Sequence, residues 1–202
     1  LASGEWQVVA QAPEGEAILG MDAQGRVYAA AAAAQTISVW QEGAWVVYTE
    51  EHGWTPIDGD YAWDWGVPAQ RAVSDAQGRA WLVTAQDVRV FDGQGWRVFS
   101  AEDMGMELPF PGDAYPDLQI LYDPGSEAVW VGECDWGGPG PVGGAGVRRY
   151  LDGEWKGADW AVASGCATAL SPAEDGGGWA AVPPEVWRVD PQTEEWSSLG
   201  AA

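Results

Sequence analysis

Apolar residues in this chain do not recur at the helical period. They come in short runs, partly alternating with polar residues, and clusters of Gly, Pro, Asp and Ser close each run. That pattern predicts half-buried strands joined by tight turns. Internal repetition sets the phase. Met21-Asp22-Ala23-Gln24-Gly25-Arg26 and Ser74-Asp75-Ala76-Gln77-Gly78-Arg79 share the pentapeptide DAQGR, and they lead into Val27-Tyr28-Ala29 and Ala80-Trp81-Leu82-Val83. Looser copies are Asp123-Pro124-Gly125 before Val129-Trp130-Val131-Gly132, and Glu174-Asp175-Gly176 before Trp179-Ala180-Ala181-Val182. An Asp that opens the turn and a Gly that accepts positive φ make each copy a strand, a tight turn and a strand.

A third strand follows in every copy: Ile37 to Trp40, Val88 to Phe91, Val147 to Tyr150 and Val186 to Val189. A turn and a Trp then open a fourth, as in Trp45-Val46-Val47-Tyr48 and Trp96-Arg97-Val98-Phe99. The anchors Trp6, Trp45, Trp96, Trp155 and Trp196 are spaced by 39, 51, 59 and 41 residues, so the second and third copies carry insertions. Four-stranded antiparallel units at this period predict an all-β fold, a β-propeller with four blades in this chain. A single domain over 1–202 divides into blades near 10–48, 49–99, 100–158 and 159–200, with 1–9 as an extra outer strand. The inner strands fall near Ile18, Val73, Ile120 and Ala169. The leftover strand leaves two closures open: a closed four-bladed ring, or part of a larger propeller completed by further repeats or by self-association.

The succession of apolar strand, D-x-x-G turn, Trp-Val-Gly strand, Gly-Val-Arg-Arg-Tyr strand and Gly-x-Trp resembles the two-component-regulator type of β-propeller repeat. The resemblance spans nearly the whole chain and is best from Phe99 to Trp155. There Glu102-Asp103-Met104-Gly105 and Leu108-Pro109 echo the family's acidic-glycine-leucine-proline lead-in. It implies the extracytoplasmic sensing part of a membrane histidine kinase, or a secreted relative. The chain departs from that family in having four repeats rather than many, and neither a kinase nor a membrane-spanning segment.

Charge narrows the choice of partner. Against 9 Lys and Arg stand 31 Asp and Glu, a net charge of -22, and such a field repels phosphate backbones and anionic headgroups. Nucleic acid and membrane insertion are therefore not expected, and no run approaches the roughly 18 apolar residues of a spanning helix. With His52 as the only histidine and Cys134 and Cys166 the only cysteines, multi-histidine and four-cysteine metal sites are excluded. A Ser or Cys nucleophile triad has no support in the spacing.

The insertions Glu50 to Ala69, Ser100 to Asp117 and Glu133 to Ala145 all leave the same end of the blades, since strands alternate in direction. They hold 12 of the 31 acids and none of the nine cations. Their residues Trp54, Asp58, Asp60, Tyr61, Trp63, Asp64, Trp65, Phe110, Tyr115 and Trp136 form a candidate ligand-binding rim. Trp45, Trp81, Trp96, Trp130, Trp155 and Trp179 are expected in blade cores. Asp58, Asp60 and Asp64 offer hard oxygens to Ca²⁺, although D-x-D-x-x-x-D is not EF-hand spacing and an ordinary acidic loop reads the same way. No other cofactor is implied. Gly137 to Gly146 lacks the Lys of a phosphate-cradling loop and reads as a flexible loop. Cys134 and Cys166 fall near the same rim in adjacent blades. They read either as two buried thiols or as a disulfide worth about 3 to 4 kcal/mol for a loop of roughly 33 residues. An even cysteine count suits an extracellular or periplasmic compartment.

The leading expectation is a non-catalytic, extracytoplasmic binding or sensing module for a cationic peptide or protein, a carbohydrate or a small molecule. A glycoside hydrolase or lyase is the alternative if two of Glu50, Glu51, Asp58, Asp60, Glu102 and Asp103 stand about 5 to 10 Å apart across a cleft. A structural scaffold is the third reading.

Overall fold

Four antiparallel sheets follow one another along the chain, each built from four consecutive strands in sequence order. Blade one holds β1 (Ala17–Met21), β2 (Val27–Ala30), β3 (Ile37–Gln41) and β4 (Ala44–Tyr48). Blade two holds β5 (Ala69–Ser74), β6 (Ala80–Thr84), β7 (Asp87–Phe91) and β8 (Trp96–Ser100). Blade three holds β9 (Tyr115–Asp123), β10 (Ala128–Gly137), β11 (Gly140–Leu151) and β12 (Glu154–Ala158). Blade four holds β13 (Ala169–Pro172), β14 (Gly178–Val182), β15 (Glu185–Val189) and β16 (Trp196–Ala201). The computed structural model describes residues 8, 10–31, 35–56, 69–84, 87–106, 115–137, 140–158, 167, 169–175, 177–182, 184–190 and 195–201. Of the stretch 1–9, expected as an extra outer strand, only Val8 is described; it is exposed and lies outside any strand.

The turn Asp of each copy organises its hairpin. Asp75 accepts the backbone N–H of Gln77 (3.0 Å) and of Arg79 (2.9 Å), the Arg79 Nε (2.6 Å) and the Trp81 indole N–H (2.7 Å). Asp22 repeats the set with Gln24, Arg26 and the Tyr28 hydroxyl. Asp123 and Asp175 make shorter versions with Gly125 and Gly177. Burial, and then the hydrogen bond to the Asp22 carboxylate, push the Tyr28 phenol far above its usual range.

Strand alternation gives every blade a rear face toward the preceding blade and a front face toward the next. In β6, Ala80 and Leu82 point back while Trp81 and Val83 point forward, so all five residues of the strand are buried. Coverage on both faces explains its unbroken apolar run. Three cores result. Tyr28, Ile37, Val39 and Tyr48 meet Leu82, Phe91 and Trp96 between blades one and two. Trp81, Val83, Val88 and Phe99 meet Ile120, Val129, Val131 and Tyr150 between blades two and three. Ala128, Trp130 and Val147 meet Ala180, Val182 and Val189 between blades three and four. The inner strands pack in the order β1, β5, β9, β13. Among the described residues no helix is long and apolar enough to cross a membrane.

One expectation is overturned. Of the Gly- and Pro-rich tract expected as a flexible loop, Gly137 and residues 140–146 belong to β10 and β11 and pair with one another across an antiparallel ladder with two register shifts, Gly137 opposite Gly140, Trp136 opposite Pro141 and Glu133 opposite Gly146. Pairing with β9 along the other edge of β10 extends just as far, to Trp136 opposite Tyr115. A ladder on both sides satisfies the β10 backbone, and that outweighs the weak strand preference of glycine.

Candidate functional site

The three insertions do emerge at one end of the blades, where buried arginines fasten two of them. Arg89, the third residue of β7 and the second of the repeat segment Val88 to Phe91, is fully buried and grips both oxygens of Asp87 (2.7 and 2.8 Å). It also donates to the carbonyl of Thr55, in the connector from blade one, and lies 4.1 Å over the Trp54 ring. Arg148, the second residue of the repeat's third-strand segment in β11, donates to the carbonyls of Met104 (3.1 Å) and Gly105 (2.6 Å) in the connector from blade two. Ser38 holds the same place in β3 and donates to Glu16, just ahead of blade one (2.9 Å). In blades one to three the third strand thus reaches back to the segment that precedes its own blade.

Trp54 is consequently internal. It is 1% exposed and sits edge-on to Trp96 at 5.1 Å, in the core between blades one and two. It belongs with the packing residues rather than on a solvent-facing rim. The turn Glu50–His52 carries the chain there, and Gly53 closes it at φ 81°. A β-carbon on Gly53 would fall 2.1 Å from the Trp96 carbonyl oxygen, so this close crossing of β8 requires glycine.

The connector from blade two starts as a short helix, Ala101–Met104. Ser100 Oγ accepts from the Asp103 N–H, and the Asp103 carboxylate accepts from the Ser100 N–H and hydroxyl, both at 2.8 Å. These bonds, the backbone one first, hold the Asp103 carboxyl below the usual carboxylate range. Such a group stays ionised and makes a poor general acid, which counts against Asp103 in a carboxylate pair. Met104 and Met106 then anchor the segment in the core between blades two and three.

The third insertion is an arm of blade three built from the start of β9, the end of β10 and the start of β11. Tyr115 and Trp136 are register partners there, as are Asp117 and Cys134. Direct partners across an antiparallel pair share a sheet face, so the backbone alone brings these two rim candidates together. Asp58, Asp60, Tyr61, Trp63, Asp64, Trp65 and Phe110 lie outside the described residues, as does Cys166. Among the described residues no group of three Asp, Glu, His or Cys side chains is gathered as a metal site would need.

The sequence did not reveal where the cations go. Arg26, Arg79 and Arg188 pair with the turn acids Asp22, Asp75 and Asp175, and Arg89, Arg148 and Arg149 are buried. Glu50, Glu51, Glu102 and Asp103 are exposed at the connector end. The repeated Val-Arg at the start of the third-strand segment, Val88-Arg89 and Val147-Arg148, was the available signal.

No protein-family model matches the chain, and no curated protein matches it, so the two-component-regulator resemblance finds no counterpart at family level. Solved structures do match. The extracellular domain of the hybrid two-component system BT4673 from B. thetaiotaomicron superposes with a TM-score of 0.52 at 14% identity, over 90% of this chain and 22% of that one. A protein from Lactobacillus plantarum gives 0.53 at 10%, over 93% and 55%. YCF48 bound to a D1 peptide gives 0.50 at 14%, over 89% and 52%. The chain spans only about a fifth to just over half of the length of these structures. At such identities the likeness is one of fold, and with the four sheets described above it makes this chain four blades of a β-propeller.

Proposed function

We propose that the chain is a non-catalytic binding or sensing propeller that receives a cationic ligand, such as a basic peptide, at the connector end of its blades. The observation that carries this reading is how the arginines are used. Arg26, Arg79 and Arg188 are taken up by turn acids and Arg89, Arg148 and Arg149 are buried, so that Arg97 alone of the arginines with described side chains is exposed, while Glu50, Glu51, Glu102 and Asp103 are all exposed in the connectors. An end of this kind attracts cations and repels anions. Tyr115 and Trp136, register partners at the start of β9 and the end of β10, are the aromatic residues assigned to the ligand in this reading. An extracytoplasmic setting suits the cysteine pair and agrees with the extracellular BT4673 domain; a propeller holding a peptide, as in YCF48 with D1, is a precedent for the mode.

Calorimetric titration with a lysine-rich peptide and an acidic peptide of equal length tests the proposal. Only the basic peptide should bind, with affinity falling about tenfold or more between 50 and 200 mM salt. Trp136→Ala should weaken it further without altering the melting temperature. Equal binding of both peptides, or salt-independent binding, removes the electrostatic site.

A further inference from the structure

Histidine is the side chain that changes charge between about pH 5 and 8, and this chain has one, His52. It ends the turn Glu50–His52, which carries the first connector away from β4. Its imidazole serves the backbone of that turn. The Thr49 N–H donates to His52 Nδ1 (3.3 Å), and Thr49 Oγ1 stands 3.2 Å from the same nitrogen. A backbone N–H can only donate, so Nδ1 is the acceptor and the ring is neutral, with its proton on Nε2. The arrangement is the reciprocal cap of a helix start, with His in the place usually taken by Glu or Gln. That exchange matters because a Glu or Gln oxygen still accepts near neutrality, whereas imidazole loses its acceptor on protonation.

The turn's other bonds are committed. The Thr49 carbonyl accepts the N–H groups of His52 (2.9 Å) and Trp54 (3.1 Å), and the Glu50 carbonyl accepts that of Gly53 (3.0 Å). The ring lies edge-on to Tyr48 at 5.3 Å, and the His52 carbonyl abuts the turn between β7 and β8, where a β-carbon on Gly95 would lie 3.1 Å from it. Glu50 and Glu51 precede the ring and are exposed. From the packed elements, β4 brings the Tyr48 phenol, and the turn between β7 and β8 brings Asp92, whose carboxylate is engaged by the Gln94 and Gly95 N–H groups. Arg97 of β8 lies 4.3 Å over the Phe99 ring, on the strand face turned away from Trp96 and the first connector.

We infer that His52 makes the acidic turn of the first connector responsive to pH, so that a cationic ligand is held there near neutrality and more weakly in mild acid. The inference rests on the binding reading above, in which Glu50 and Glu51 belong to the cation-attracting end. With the ring neutral, the turn is capped and its two carboxylates set the local charge. Protonation has two effects at once. Nδ1 becomes a donor, to Thr49 Oγ1, so the Thr49 N–H loses its acceptor and the segment carrying the carboxylates loosens. A positive charge also arises beside Glu50 and Glu51 and offsets their field.

Two measurements on the full chain test this. Nuclear magnetic resonance of the single histidine needs no ligand. At about pH 8 the ring should carry its proton on Nε2, and the Thr49 amide resonance should move in step with the ring between about pH 8 and 5. A proton on Nδ1 at pH 8, or a Thr49 amide indifferent to the ring, overturns the cap. Calorimetric titration with a lysine-rich peptide at equal salt then compares the parent with His52→Gln, whose amide keeps the cap and does not protonate. Parent affinity should fall about threefold or more between about pH 7.5 and 5.5, the size expected of one exposed charge, and the fall should be largely lost in the variant. Carboxylates that begin to protonate in that range act on both proteins alike. An equal fall in both overturns the inference. Absence of peptide binding by the parent at either pH instead fails the binding reading, and the ligand response with it, while the spectra still decide the cap.

Discussion

Asp75 shows how much one residue of the repeat carries. Its buried carboxylate satisfies two turn N–H groups, a guanidinium and an indole at once. Asp75→Ala strands these donors and leaves Arg79 beside an empty site, at an expected cost of about 3 to 5 kcal/mol. Asp92 does a lesser version of the task in an exposed turn, accepting from Gln94 and Gly95, and Asp92→Ala should cost only about 1 kcal/mol. Urea denaturation of the two variants side by side measures the contrast. The turn was legible in the sequence because D-x-x-G encodes local backbone geometry. The role of Arg89 was not, since it exists only once the fold carries Thr55 from 34 residues away to meet it.

At the scale of elements, the connectors depend on close crossings. Gly53→Ala forces a β-carbon into the Trp96 carbonyl at positive φ and should destabilise the chain by about 2 kcal/mol or more, read as a lowered denaturation midpoint. The arm of blade three was misread for the opposite reason. Glycine and proline mark loops when only neighbours in sequence are weighed, and the pairing that draws Gly137 and residues 140–146 into strands comes from β9, some 20 residues upstream of the tract. Strands β1 to β8 were readable because each short apolar run is closed by its own turn residues. The same arm bears on the cysteines. A β-carbon on Gly132, two residues before Cys134, would lie 2.9 Å from Ala167, the neighbour of Cys166. Cys166 itself lies outside the described residues, so the bridge remains an expectation of the sequence. Thiol titration of the unfolded, unreduced protein tests it: no free thiol is the expected outcome, and two free thiols rule out the bridge.

For the whole molecule the governing quantity is the net charge of -22, set by 31 Asp and Glu against 9 Lys and Arg. Mutual repulsion among surface carboxylates favours the expanded chain, and counter-ions relieve it. Raising salt at pH 7 should thus raise the melting temperature. Lowering the pH to about 5 begins to neutralise the surface acids, so there the melting temperature should be higher at low salt and less sensitive to added salt. A second effect sets the acid limit. Backbone bonds, to Gly95 first for Asp92 and to Ser100 first for Asp103, hold both carboxyls below their ordinary range. Folded values below the unfolded ones mean that these groups add stability fully above the ordinary carboxylate pKa, and that the contribution is lost as pH falls through the depressed values. Stability should therefore pass through a maximum on the acid side of neutrality and collapse below about pH 3.5. In Asp103→Asn the amide is neutral at every pH, so the variant should be less stable at pH 5 and converge on the parent in the acid limb. A calorimetric pH series at two salt concentrations separates the two effects. A melting temperature at pH 7 indifferent to salt would mean that the surface charge is already balanced in the folded state.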